Sequence, residues 1–168
     1  MADSKRQPNP KDIQASVVSP AERSFLEKVM LKAQLDDIYD ARDLSEVVFR
    51  TMRDLMTTEA SDRVAGELKG TAAQPGAAKQ SLQYEIAELW KDTNPLVALL
   101  SRIRPPLEFD DETFIFRIQQ EAGLQRGIDP QLAVKAVFSA VKTELSSDRI
   151  AEIGKVLPGV VGQIWQQS

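Results

Sequence analysis

Apolar residues recur along this chain at intervals of three and four positions, which places them on one face of an α-helix. The first stripe of this kind consists of Phe25, Leu26, Val29 and Ala33. It follows Ser19-Pro20, where a serine suits the N-cap and a proline suits the first helical position. The pattern therefore predicts a helix that starts at Pro20 and buries this stripe.

The same spacing predicts further helices along the rest of the chain. They are expected at about Ala41 to Met56, around Val64 and Leu68, at about Leu82 to Lys91, at about Leu96 to Ile103, from Asp110 or Asp111 to Leu124, from Pro130 to Leu145, around Ile150 and Ile153, and in a last short helix that ends in Ile164-Trp165. The segment from Leu132 is apolar on several sides, so it is predicted to be the central helix. Strand-like alternation and hairpin turns are nearly absent, and the chain is therefore predicted to be all-α.

Polar residues mark the starts and the outer faces of these helices. Asp129 and Ser146 are predicted to cap the helices that follow them, because short polar side chains bond the free N–H groups of a first turn. In the second helix, Arg50, Arg53 and Asp54 lie off the apolar stripe and are expected to face solvent.

The second half of the chain repeats the apolar pattern of the first half after a shift of 89 positions. Phe25 falls on Phe114, and Val48-Phe49 falls on Val137-Phe138. Such self-similarity is typical of a repeated helical unit. We therefore predict two pseudo-symmetric helical repeats, of three to four helices each, packed into one globule.

The two tryptophans close the predicted repeats, but Trp90 and Trp165 are 75 positions apart, so the first repeat carries 14 more residues. These fall at about 70–81, in a stretch rich in Ala, Gly and Pro that is typical of a loop. The predicted organisation is a disordered leader at 1–18, repeat 1 at 19–92, a connector with a short helix at 93–109, and repeat 2 at 110–168.

Composition narrows the chemistry that such a chain can perform. The formal net charge of −4 argues against a general nucleic-acid binder, which needs a basic excess. The absence of cysteine removes thiolate nucleophiles, and the absence of histidine removes the commonest general base and metal ligand. We therefore expect a protein that is not an enzyme and that holds no cofactor or metal.

The chain shows no pattern for export or for a membrane. Its first residues, Met-Ala-Asp-Ser-Lys-Arg, lack the apolar core of a secretory signal. The longest apolar stretch, 95–103, is far shorter than the about 20 residues that a membrane span needs. A cytoplasmic protein without membrane insertion is expected.

The two halves share an order of motifs. Each has a helix led by an aromatic residue, Phe25-Leu26-Glu27-Lys28-Val29 or Phe114-Ile115-Phe116-Arg117-Ile118, then a Val-Phe helix and a closing Leu-Trp or Ile-Trp. In this the chain resembles the bacterial family known as domain of unknown function 2267, over about residues 22–167. Leu157-Pro158 followed by Ile164-Trp165 fits the pattern with which that family ends each unit, whereas Leu68-Lys69 in the first half departs from it. The resemblance implies a two-repeat helical protein and no particular activity.

Four residues are candidates for a partner surface: Ile164, Trp165, Arg102 and Arg104. Tryptophan is enriched at interfaces, and arginine in the connector can meet phosphate or an acidic partner. The alternatives are that Trp165, like Trp90, closes the core of its repeat, and that the arginines lie on a solvated hinge. If the surface interpretation holds, changing Ile164 and Trp165 together to alanine abolishes partner capture with little effect on melting.

Two acidic runs, Asp36-Asp37 and Asp110-Asp111-Glu112, suggest a divalent-cation or acid–base site. Carboxylate metal sites in helical bundles also use histidine, which this chain lacks. The simpler interpretation is that both runs cap helix N-termini, where negative charge is favoured.

The leading hypothesis from the sequence is a non-catalytic helical protein–protein interaction module, such as an assembly or regulatory accessory. It would accept a helix of another protein in an apolar groove between the repeats or on the Ile164-Trp165 surface. The alternative hypothesis is a binder of an apolar small molecule or lipid in a cavity between the two repeats.

Overall fold

A computed structural model of the protein describes residues 20–70, 86–91, 96, 99–100, 102 and 105–168. The predicted leader at 1–18, most of the predicted insertion at 70–81, and Arg104 lie outside the described residues. The helices are α1 Pro20–Ala33, α2 Ile38–Asp54, α3 Thr58–Gly70, α4 Asp111–Glu121, α5 Pro130–Lys142, α6 Ser147–Val156 and α7 Gly159–Gln167. Residues 86–90 are helical as well, and so are Leu96, Leu99, Leu100 and Arg102 of the connector. The described part of the chain contains no strand, so the all-α prediction is confirmed.

Side-chain caps determine where several helices start. Asp110 caps α4, Asp129 caps α5 and Ser146 caps α6, each by accepting a main-chain N–H of the first turn, at 2.8, 2.9 and 3.4 Å respectively. The predicted caps at Asp129 and Ser146 are thus confirmed. α2 starts about one turn before its predicted bound, because the Asp37 carboxylate already accepts the N–H groups of the two residues after Ile38.

α4 and α5 each end three residues earlier than predicted. α4 ends at Glu121 instead of Leu124, because Gly123 takes a left-handed backbone conformation, with φ of 61°. α5 ends at Lys142 instead of Leu145, since the cap of α6 at Ser146 has an extended backbone. Both differences concern local backbone geometry, which hydrophobic spacing does not report.

The core contains two clusters of three buried aromatic rings, each drawn from three separate elements. The clusters are Phe25, Phe49 and Trp90, and Phe114, Phe138 and Trp165. Ring centroids within them lie between 4.9 and 6.4 Å apart. Aromatic pairs at such separations add stability beyond the area that they bury.

α5 is the central helix, as predicted, because it packs against α1, α2, α4 and α7. Its buried side chains are Ala133, Val134, Ala136, Val137, Phe138, Ala140 and Val141. The alternation of small and large residues lets other helices approach closely on several sides.

One outward-facing prediction is wrong. Asp54, at the end of α2, is largely buried, and its Oδ2 accepts a hydrogen bond from Arg117 Nη2 of α4 at 2.9 Å. The main-chain N–H of Leu107 also donates to the Asp54 carbonyl, at 2.7 Å. Because α2 packs against α4, the side of α2 that looked polar in the sequence becomes an ion-paired seam between helices.

Candidate functional site

Ile164 and Trp165 lie in the core and do not form an exposed surface. Their exposed fractions are 8% and 2%. The indole of Trp165 donates from Nε1 to the carbonyl of Ile150 at 2.9 Å, and its ring meets Phe138 edge-on at 4.9 Å. The alternative interpretation, in which Trp165 closes the core, therefore describes this structure, and the partner-surface prediction for this pair is wrong.

Lys142 covers the outer side of Trp165. Its ammonium lies 5.3 Å from the centre of the indole and donates to the carbonyls of Trp165 and Ser168, at 2.7 and 2.8 Å. Burial lowers the pKa of Lys142. The cation thus bonds to the main chain at the end of α7 and holds that end against the tryptophan.

Trp90 also belongs to the core. Its Nε1 donates to the carbonyl and the hydroxyl of Ser61, at 3.2 and 3.3 Å, and its ring lies 5.3 Å from Phe49. Beside it, however, the chain leaves a pocket of about 320 Å³. The pocket is lined by Arg53, Asp54, Met56, Thr57, Thr58, Ser61, Asp62, Ala65, Trp90, Lys91, Arg102, Pro105 and Pro106.

Arg102 reaches this pocket from the connector. Its side chain is 65% exposed, and Nη2 lies 3.8 Å from Oδ1 of Asp62, which is a long ion pair. Sequence reasoning singled out Arg102 beside Lys91 in the connector, but it missed the pocket because Arg53 lies 49 positions earlier in the chain. The one usable sequence signal was Pro105-Pro106, which forces the chain to turn next to Arg102.

Three leucines of the connector form an exposed apolar stripe. Leu96, Leu99 and Leu100 are 64%, 61% and 55% exposed and occupy helical residues. Their spacing puts them on one face of a helix. The sequence predicted an apolar helix here, but it contained no indication that the apolar face is left uncovered.

A family model described as an uncharacterized conserved protein, DUF2267, matches residues 22–164. The chain belongs to this family. The resemblance noted in the sequence is thereby confirmed. No curated protein matches the chain in sequence.

The acidic runs of this DUF2267 protein serve as helix caps. Asp37 and Asp110 cap α2 and α4, and Asp111 caps a helix distant in sequence, because its Oδ2 accepts the N–H of Val160 at 2.7 Å. The residue before α7, Pro158, has no side-chain cap to offer. Over the residues that the structure describes, no group of three or more His, Cys, Asp or Glu side chains is placed to hold a metal ion.

An ion-pair network joins α3 to α6 in the DUF2267 chain. Arg63 bonds Glu152, from Nε at 3.0 Å, and Arg149 lies 3.3 Å from Glu67. The hydrogen bond from Arg63 holds the pKa of Glu152 below its ordinary value. The arginines and glutamates of this network pair with each other between α3 and α6. We therefore assign them a structural role.

None of the helices in the described ranges is long and apolar enough to cross a membrane. This agrees with the prediction of no membrane insertion.

Proposed function

We propose that this protein is a non-catalytic interaction module that binds a helix of another protein through Leu96, Leu99 and Leu100. The observation that carries the proposal is the exposure of all three side chains on one helical face. An apolar stripe of this kind on a helix is what helix-in-groove recognition uses. The surface differs from the one expected from the sequence, but the class of function is the same.

Covering the stripe supplies part of the free energy that binding a partner helix needs. Full burial of one leucine contributes about 1.5–3 kcal/mol. Because each of the three is more than half exposed, covering them releases roughly 3–5 kcal/mol in total. Affinity beyond that has to come from the polar rim of the interface.

The rim favours an acidic partner. Arg102 lies two positions after Leu100 in the sequence and is 65% exposed. Arginine forms paired hydrogen bonds with carboxylates, so the expected ligand is an amphipathic helix with Asp or Glu beside its apolar face.

Contacts related by the 89-residue shift support the proposal that the two halves are pseudo-symmetric repeats. Trp90 donates to Ser61 and Trp165 donates to Ile150, and these two acceptors are 89 positions apart. Thr57 accepts the N–H of the third residue after it, as Ser146 does in the second half. A cytoplasmic location and the lack of enzymatic activity remain predictions, as does an apolar cavity between the halves.

The test is capture from the source organism with three tagged proteins. One is the natural chain, one carries Leu96, Leu99 and Leu100 each changed to serine, and the matched control carries Leu31→Ser and Phe116→Ser. The control removes exposed apolar side chains from α1 and α4 instead. All three are expected to melt at similar temperatures, because none of the changes reaches the core.

The proposal requires a protein that the natural chain and the control both retain and the leucine variant loses. A partner retained equally by all three tagged proteins contradicts it. Sedimentation of the purified chain provides a second criterion. If the natural chain self-associates through these leucines, the occupant is a second copy and the partner-helix proposal is wrong.

A further inference from the structure

Two parts of the pocket beside Trp90 are held by contacts within the protein. Trp90 is fixed by its hydrogen bonds to Ser61 and by its contact with Phe49. The start of α3 is fixed by Thr57, whose hydroxyl accepts the N–H of Ala60 at 3.1 Å. These contacts position Trp90 and the start of α3 without a ligand, and preorganisation of this kind lowers the cost of binding.

The corresponding place in the second half is filled by the chain itself. Lys142 lies over the ring of Trp165 and bonds main-chain carbonyls. Gly154 packs so closely that a Cβ there would lie 3.2 Å from Cδ1 of Trp165. The residues 89 positions earlier are Arg53 and Ala65, and both line the open pocket beside Trp90. In the first half, Arg53 and Ala65 thus line an open pocket, whereas Lys142 and Gly154 pack against Trp165 at the corresponding place in the second half.

The charged lining of the pocket is more cationic than anionic. Arg53, Lys91 and Arg102 face it from three separate segments, against the two carboxylates Asp54 and Asp62. Asp54 is also bound by Arg117 of α4, at 2.9 Å, and its charge is therefore shared with that arginine. Lys91 also lies 3.5 Å from Glu88, and Arg102 lies 3.8 Å from Asp62, so the lining carries a small excess of positive charge in a protein whose net charge is −4.

The remaining lining is apolar or carries hydroxyl groups. Met56, Ala65, Trp90, Pro105 and Pro106 supply apolar surface, and Thr57, Thr58 and Ser61 supply hydroxyls. The volume of about 320 Å³ is close to the lower end of the range for small-molecule sites, about 300–1,000 Å³. It suits a ligand of roughly one ring with a polar group.

We propose that this pocket binds a small organic anion, whose carboxylate or phosphate group is held by Arg53 and Arg102 and whose apolar part rests against Trp90 and Pro105-Pro106. Guanidinium groups match the geometry of both anions, and the indole and prolines match a flat apolar body. The proposal does not depend on the exposed leucines of the connector.

Nuclear magnetic resonance of the full chain, labelled with ¹⁵N, tests this directly. The indole N–H of Trp90 reports on the pocket, and that of Trp165 is an internal control in the same spectrum. Benzoate and phenyl phosphate are the probes, which separate the two sources of negative charge. Benzyl alcohol is the neutral comparison, and inorganic phosphate is the anion without an apolar body.

The expected result is a saturable shift of the Trp90 resonance with benzoate or phenyl phosphate and no shift at Trp165. Benzyl alcohol and inorganic phosphate are each expected to bind about tenfold more weakly. Equal binding of benzyl alcohol would overturn the role of the anion, and equal binding of inorganic phosphate would overturn the role of the apolar surface. A Trp90 resonance that no probe shifts would overturn the proposal entirely.

Three variants locate the binding. Arg102→Gln is expected to weaken benzoate binding about tenfold and to fold normally, because its side chain is exposed. Arg126→Gln, at an exposed arginine between α4 and α5, is the matched control and is expected to bind as the natural chain does. Ala65→Leu fills the pocket without changing its charge and is expected to abolish binding. Unchanged binding by the Arg102 or the Ala65 variant contradicts the assignment.

Discussion

Replacing Trp165 by alanine distinguishes the two interpretations of this residue that the sequence left open, a core position and a partner surface. The side chain is 2% exposed, is hydrogen-bonded to Ile150 and lies edge-on to Phe138. Truncating a buried tryptophan to alanine costs about 3–5 kcal/mol. The Ile150 carbonyl also loses its donor, which places the expected loss toward the upper end of that range.

Urea unfolding followed by circular dichroism measures this loss. The slope for a protein of this size is about 2 kcal/mol per molar urea, so a loss of about 4 kcal/mol lowers the midpoint by about 2 M. Total stability of a domain is typically about 5–15 kcal/mol, so Trp165→Ala is expected to leave a marginally folded protein. Trp165→Phe keeps an aromatic ring and is expected to lose about 1–2 kcal/mol, mostly from the missing hydrogen bond.

The matched control is Phe116→Ala, which truncates an aromatic residue that is 60% exposed on α4. Its expected cost is within about 0.5 kcal/mol. If Trp165→Ala lowers the midpoint no more than Phe116→Ala does, Trp165 is not a core residue and the packing argument fails. That outcome would also restore the Ile164-Trp165 surface as a docking candidate.

Two further predictions concern the start of α7 and the α3–α6 ion pairs. Gly159→Ala is expected to lower the free energy of unfolding in urea by about 2 kcal/mol, because φ is 46° and the new Cβ would lie 2.3 Å from Oδ2 of Asp111. The control is Gly66→Ala, where no atom lies near the added Cβ. This variant is expected to stabilise α3 slightly. Since the pKa of Glu152 is lowered by Arg63, this carboxylate contributes stability above its unfolded pKa of about 4.3 and loses it as pH falls through the folded value. Glu152→Gln is therefore expected to lower the melting temperature at pH 7 and to reduce the decline of the melting temperature on acidification. The control, Glu108→Gln, changes an exposed carboxylate and is expected to leave the dependence of the melting temperature on pH unchanged. The same pH dependence for both variants would contradict the ion-pair argument.

The connector shows where sequence reasoning about the site stopped. The spacing of its leucines predicted a helix, since that information is local. Whether those leucines face the core depends on where the segment lies relative to the other helices, and no local pattern states this. The pocket is similar: Arg53, Lys91 and Arg102 are brought together by the fold from positions up to 49 residues apart.

Asp54 illustrates the same limit within a correctly predicted helix. Hydrophobic spacing placed it on the outer face of α2, and relative to α1 that is a reasonable deduction. The packing of α4 against α2 then supplied Arg117, which turned an outer position into a partly buried ion pair.

The sequence by itself determined the helical class and most helix starts. These follow from the 3.6-residue period and from short polar side chains next to free N–H groups, both of which act within a few residues. Only the tertiary structure decided that Trp165 is enclosed, that Asp54 is paired and that the connector leucines are uncovered. Burial is a property of two surfaces that meet, and one segment of sequence specifies only one of them.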